Sequence, residues 1–148
     1  MNALSTIFKV SSYTALVGWL ILIVAPNWQL GMDIVLFIVV SLLCFIYSYL
    51  VFFAKKLDGG QPVRGSFWSL KGIISLFKSP RVVLAGWVHY LAFDLMIGLY
   101  IVVDAARFDI SHWLLIPCLL MTLMFGPAGL LIYFALRMVM TGEVGLLF

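Results

Sequence analysis

The chain has 148 residues, of which 65% are hydrophobic and 10% charged, against roughly 25% charged residues in a soluble domain. That balance excludes a water-soluble monomer, and at about 20 apolar residues per membrane crossing it leaves room for four or five spans. The net charge of +3 reads as a topology signal rather than a nucleic-acid face, because no solvated fold is present to carry a basic surface.

In chain order, the first span is expected over residues 4–25, ended by Pro26, with Trp28 as an interfacial anchor. Lys9 snorkels from it towards the interface. The stretch lacks a small-x-small cleavage site before Pro26-Asn27-Trp28, so it reads as a retained helix rather than a signal peptide. The second span is expected over 33–54 and closes on Lys55-Lys56. Asp58-Gly59-Gly60-Gln61-Pro62 then marks a turn.

Segment 66–77 places Phe67, Leu70, Ile73, Ile74 and Phe77 on one helical face, flanked by Lys71 and Lys78. It reads as a short amphipathic helix in the headgroup plane, the alternative being a loop packed over the bundle end. The third span is expected over 82–103 and the fourth over 113–137, with Pro117 and Pro127 inside it. The fold expected is therefore all-α: one transmembrane domain over 1–148, a four-helix bundle with one interfacial helix.

Four spans put Lys9, Lys55, Lys56, Arg64, Lys71, Lys78, Arg81 and Arg137 on one side and Arg107 on the other. The positive-inside rule makes the first side cytoplasmic, with both termini there. Cys44 and Cys118 lie in apolar runs without a CxxC pair, which argues against redox or zinc chemistry and leaves no metal site. His89 and His112 are too far apart in depth for a bis-histidine haem, and no glycine-rich phosphate loop occurs.

The third span holds the residues most suited to chemistry. His89 and Asp94 interrupt an apolar run, and an ionisable group at depth usually faces the bundle interior and marks function. Asp94 falls about 18 Å into the span, near the midplane. Tyr90, Asp94 and Gly98 share one face with Trp87, whereas His89 lies about 140° away. Either these residues serve a ligand, or they bond interhelical partners and hold the bundle together.

In the fourth span, Pro127 cannot donate to the carbonyl of Leu123, and Thr122 is the nearest polar partner. Thr122, Gly126 and Pro127 are expected to face Tyr90, Asp94 and Gly98 across a cavity. Asp104, Arg107, Asp109 and His112 form a polar cluster at the outer end, with Asp104 and Arg107 spaced for an i,i+3 pair.

From Leu76 to Arg137 the chain carries Gly86-Trp87-x-His89-Tyr90, Phe93-Asp94-Leu95, Pro117-Cys118-Leu119 and Phe125-Gly126-Pro127-x-Gly129-Leu130. The first half adds Gly18-Trp19-Leu20 and Ala25-Pro26-x-Trp28. In these elements the sequence resembles the abscisic-acid-deficient-4-like family, whose plant members are associated with neoxanthin synthesis from violaxanthin. The resemblance implies a membrane protein of carotenoid or isoprenoid metabolism.

The implied reaction is a cofactor-independent isomerisation with His89 and Asp94 as base and acid, and Trp87, Tyr90, Gly98, Thr122, Gly126 and Pro127 around the substrate. Leu99-Tyr100 departs from the plant pattern, and without a plastid transit peptide the chain reads as a bacterial inner-membrane protein. The alternative reading is a non-catalytic protein that binds a lipid or carotenoid or assembles a pathway. A transporter is the third reading, disfavoured by the missing inverted repeat. The expected partners are membrane lipid and an apolar isoprenoid or carotenoid, with no nucleic acid. Self-association through small residues of the third and fourth spans is open.

Overall fold

A computed structural model describes residues 2–59 and 63–142. Gly60, Gln61 and Pro62 of the expected turn lie outside the described residues, as does the chain from 143 onward. All regular structure among the described residues is helical: α1 (Asn2–Val24), α2 (Gln29–Asp58), α3 (Leu70–Leu76), α4 (Pro80–Arg107), α5 (His112–Phe125) and α6 (Pro127–Thr141). Three of them, α1, α2 and α4, are long and apolar enough to cross a membrane.

Helix α4 is the central element. Half of its apolar window is buried, against 28% for α1 and 22% for α2, and it packs on α1, α2, α5 and α6. Its start is fixed locally by Ser79, whose hydroxyl accepts from the Val82 amide at 3.4 Å, and by Pro80 in the first turn. The core between α4 and its neighbours is built from Trp19, Leu22, Val35, Leu43, Val88, Leu95 and Leu119, each almost fully enclosed. Gly98 lets Trp19 close on α4, since a Cβ there would stand 2.6 Å from the indole.

Helix α2 is not uniform. It widens into π-helical turns at Val35–Val40 and Tyr49–Phe53 and tightens into a 3-10 turn at Ala54–Asp58. A π turn displaces carbonyls from their usual partners, and the Leu50 carbonyl accepts instead from Arg81 Nη1 at 2.6 Å. Arg81 Nε also meets Asp58 at 2.8 Å, and the Ser79 hydroxyl donates to the same carboxylate at 2.7 Å. Arg81 is 6% exposed, so it is a buried tie between α2 and α4 rather than a surface topology cation.

The segment expected to be amphipathic contains α3, capped by Ser69, which accepts from the Gly72 amide at 3.1 Å. Phe67, Trp68, Leu70, Ile74 and Phe77 are exposed along it.

The largest departure from expectation lies at the C-terminal end. Instead of one kinked helix over 113–137, the chain breaks at Gly126, where φ is +28° and ψ is −87°, a region L-residues rarely enter. Gly129 then packs directly on the backbone and hydroxyl of Thr122, seven residues earlier. In a continuous helix those residues would be about 10 Å apart, so α5 and α6 form a hairpin. Pro127 starts α6 without needing a donor.

This hairpin carries the end of α6 back to the far end of α4, where Arg137 Nη1 meets Asp104 at 3.1 Å. Arg137 therefore lies opposite the end marked by Lys55, Lys56 and Arg81, not on the same side as expected. Seven cations remain on the loop side, with Arg107 and Arg137 at the other end.

Candidate functional site

The tip of the α5–α6 hairpin touches α4 halfway along its length. Asp94 is about 21 Å from Pro80 along the helix, and its carboxylate lies against Gly126, where any Cβ would collide with it. The residue is enclosed, at 5% exposure, and among the described residues Oδ2 forms no hydrogen bond. Buried oxygens without partners are uncommon and call for an explanation. The N-terminal end of α6, where the helix dipole is positive and first-turn amides lack intrahelical acceptors, opens at the same point.

Tyr90, one turn before Asp94, completes the junction. Its hydroxyl is shared between the carbonyls of Met124 at 2.8 Å and Leu123 at 3.1 Å. These are the acceptors stranded by the break at Gly126 and by the absent amide hydrogen of Pro127. The partner expected for the Leu123 carbonyl was Thr122. That hydroxyl instead bonds back to Cys118 at 2.8 Å within its own helix, a habit of threonine in helices. Sequence spacing could place Tyr90 and Asp94 on one face; which carbonyls the tyrosine reaches depends on the hairpin.

The remaining expected site residues are distributed around this junction. Gly126 and Thr122 are buried at the hairpin, and Pro127 is exposed beside them. The space next to Gly98 is occupied by the Trp19 ring. Trp87 donates from Nε1 to Ser12 of α1 at 3.2 Å, and its ring lies between those of Phe8 and Tyr90, with centroids at 5.7 and 5.4 Å. These rings form a file leading from the loop end towards Asp94.

His89 is not brought to Asp94. It is exposed on another side of α4, against Phe93 at 4.5 Å and Tyr47 at 5.5 Å between centroids. The cause is helical geometry, since five residues leave the two side chains about 140° apart.

The outer cluster is rearranged as well. Asp104 pairs with Arg137 and accepts from the Tyr133 hydroxyl at 2.5 Å, two partners that the i,i+3 spacing to Arg107 did not point to. The Arg137 guanidinium also lies 4.2 Å over the Phe108 ring. His112 Nε2 donates to the Ile23 carbonyl at 2.8 Å, tying the start of α5 to the end of α1. Asp109 is an exposed turn residue with φ of +52°.

Two polar sets were not anticipated: Asp58 with Ser79 and Arg81, and Tyr133 with Arg137. The available signal was an arginine inside or beside an apolar run, which requires a partner. No curated protein and no solved structure matches the chain. The family described as ABA DEFICIENT 4-like matches residues 6–133, nearly the whole length, and the chain belongs to that family.

Proposed function

We propose that the protein is a membrane-embedded component of carotenoid or isoprenoid metabolism, in which Asp94 exchanges protons with an apolar polyene or epoxide. The observation carrying this reading is the enclosed Asp94 carboxyl, whose Oδ2 forms no hydrogen bond among the described residues, held against Gly126 at the hairpin tip. Family membership supports a carotenoid or isoprenoid as the substrate class.

In this reading α1, α2 and α4 cross the bilayer, while the α5–α6 hairpin enters from the far side and turns back at Gly126. Such non-helical backbone is tolerated at depth only where it is buried in protein, and Tyr90 and Asp94 cover it. The N-terminus and the α2–α4 loop then lie on the cytoplasmic side and the end of α6 on the other.

The chemistry is an isomerisation. A proton leaves a carbon next to the epoxide, the epoxide C–O bond opens as a new C=C bond forms, and the oxygen takes up a proton. The atom count is unchanged and no electrons are transferred, so one carboxyl that accepts and returns a proton serves both steps. Tyr90 positions the hairpin. His89 lies outside this set.

A second reading rests on the same contact: Asp94 holds the hairpin tip and performs no chemistry, in a protein that binds lipid or organises a pathway. The variant Asp94→Asn separates the two, because an amide keeps the shape and cannot cycle a proton. Pigments would be extracted from a carotenogenic host expressing wild type or variant, beside a thermal melt of each purified protein. Catalysis predicts a product loss of about 10²- to 10⁴-fold with folding retained. Unchanged product from a folded variant would leave only the binding reading.

A further inference from the structure

At the loop end, two cavities of opposite character share a wall. One, of about 440 Å³, opens among Arg64, Ser75, Lys78 and Ser79, with Asp58 and Leu57 behind them. The other, of about 370 Å³, is a groove between α1 and α4 lined by Phe8, Val83, Leu84 and Trp87. Leu4 and Pro80 line both, so the polar mouth and the apolar groove lie side by side.

The charge of the mouth is positive. Asp58 is already paired with Arg81 and accepts from Ser79, which leaves Arg64 and Lys78, both exposed, to set its character. Among the described residues neither forms an ion pair with a carboxylate. Beside it, Trp68 is 97% exposed and Phe67 78% exposed on the approach to α3. Apolar and aromatic side chains projecting next to cations are the pattern of a segment resting at headgroup depth.

We propose that these adjoining cavities bind one anionic phospholipid, its phosphate between Arg64 and Lys78 and one acyl chain passing over Leu4 and Pro80 along the groove to Trp87. A phosphate alone would engage the cations and leave the groove without a tenant; a neutral lipid would do the reverse. The groove stops about 10 Å short of Asp94 along α4, so this site is separate from the hairpin junction and does not depend on the chemistry assigned there.

The test uses the full chain in nanodiscs of phosphatidylcholine, with spin-labelled phosphatidylglycerol and phosphatidylcholine as probes of lipid association. At about fivefold per cation near the surface, wild type should prefer phosphatidylglycerol by roughly thirtyfold. The pair Arg64→Gln/Lys78→Gln should bring that preference close to unity, with an unchanged melting midpoint in pure phosphatidylcholine.

Lys71→Gln changes a cation that does not line the cavity and should retain most of the preference. Val83→Trp fills the groove from a half-exposed position and should release the lipid with both cations in place; Phe8→Ala, which removes one groove wall, serves the same purpose if the larger side chain blocks insertion. Equal losses from Lys71→Gln and the double variant would mean diffuse surface charge and overturn the site. Displacement of the lipid by inorganic phosphate, with the groove variants unaffected, would make it a phosphate site and overturn the lipid assignment.

Discussion

Asp94 of α4 and Gly126 at the turn between α5 and α6 meet so closely that a Cβ at Gly126 would collide with the carboxylate. The contact joins two unusual features at one depth: an ionisable group in an apolar helix, and a glycine with φ of +28°. Each is costly in isolation, and the hairpin places them where each covers the other.

Gly126→Ala should therefore be among the more damaging small substitutions in the chain. The added methyl group collides with the carboxylate, and the backbone conformation alone costs about 1–3 kcal/mol for a residue with a Cβ. In Asp94→Ala/Gly126→Ala the collision is removed while the backbone strain persists. Unfolding titrations in mild detergent should show the double variant losing less than the sum of the two single losses. Strict additivity would mean that the two residues do not touch.

The long apolar helices were legible because hydropathy over some twenty residues is sufficient to define them. The third span, expected over 82–103, extends to Pro80–Arg107 because Ser79 and Pro80 fix its start. The hairpin was not legible. An apolar run with an internal proline has the same pattern whether the chain kinks or reverses, and the outcome turns on Gly126 adopting positive φ and Gly129 accepting the Thr122 backbone. With Arg137 assigned to the wrong end, Asp104 had only Arg107 as a visible partner. Its pairing with Arg137 and Tyr133 spans about thirty residues and follows from the reversal.

That pairing leads to a second prediction. Asp104 and Arg137 are 4% and 3% exposed, and removing one member of a buried pair leaves an uncompensated charge, at about 3–5 kcal/mol. Arg137→Met should destabilise by that amount. Asp104→Asn/Arg137→Met, which eliminates both charges and retains an acceptor for Tyr133, should recover much of the loss. Detergent unfolding of the three proteins decides the matter: a double variant as unstable as Arg137→Met would show that the charge pair is not the source of the effect.

At the other end of α4, Arg81 performs two directed tasks at once, with Nε on Asp58 and Nη1 on the Leu50 carbonyl. Lysine keeps the charge but cannot reproduce that fork. Arg81→Lys should cost about 1–3 kcal/mol, the penalty of a buried acceptor left without its partner. Hydrogen exchange should also accelerate around Tyr49–Phe53, where the π turn depends on the arginine. Exchange and stability matching wild type would show that charge alone suffices at this position.

The reversal at Gly126 also makes a topological claim that needs no substrate. If α5 and α6 formed one crossing, as the apolar run suggests, the end of α6 would share a side with α3. As a hairpin they return to the Asp104 end, and the proposed topology puts the membrane between the end of α6 and α3. Cys44 and Cys118 can first be replaced by alanine, then Lys71→Cys and Met140→Cys introduced singly at exposed positions. An impermeant maleimide applied to sealed vesicles of known orientation should label one of them from outside and the other only after lysis. Labelling of both from the same side would restore the four-span arrangement and detach Arg137 from Asp104. Opposite labelling would fix Gly126 as the turning point within the membrane and place the Asp94 contact at its apex.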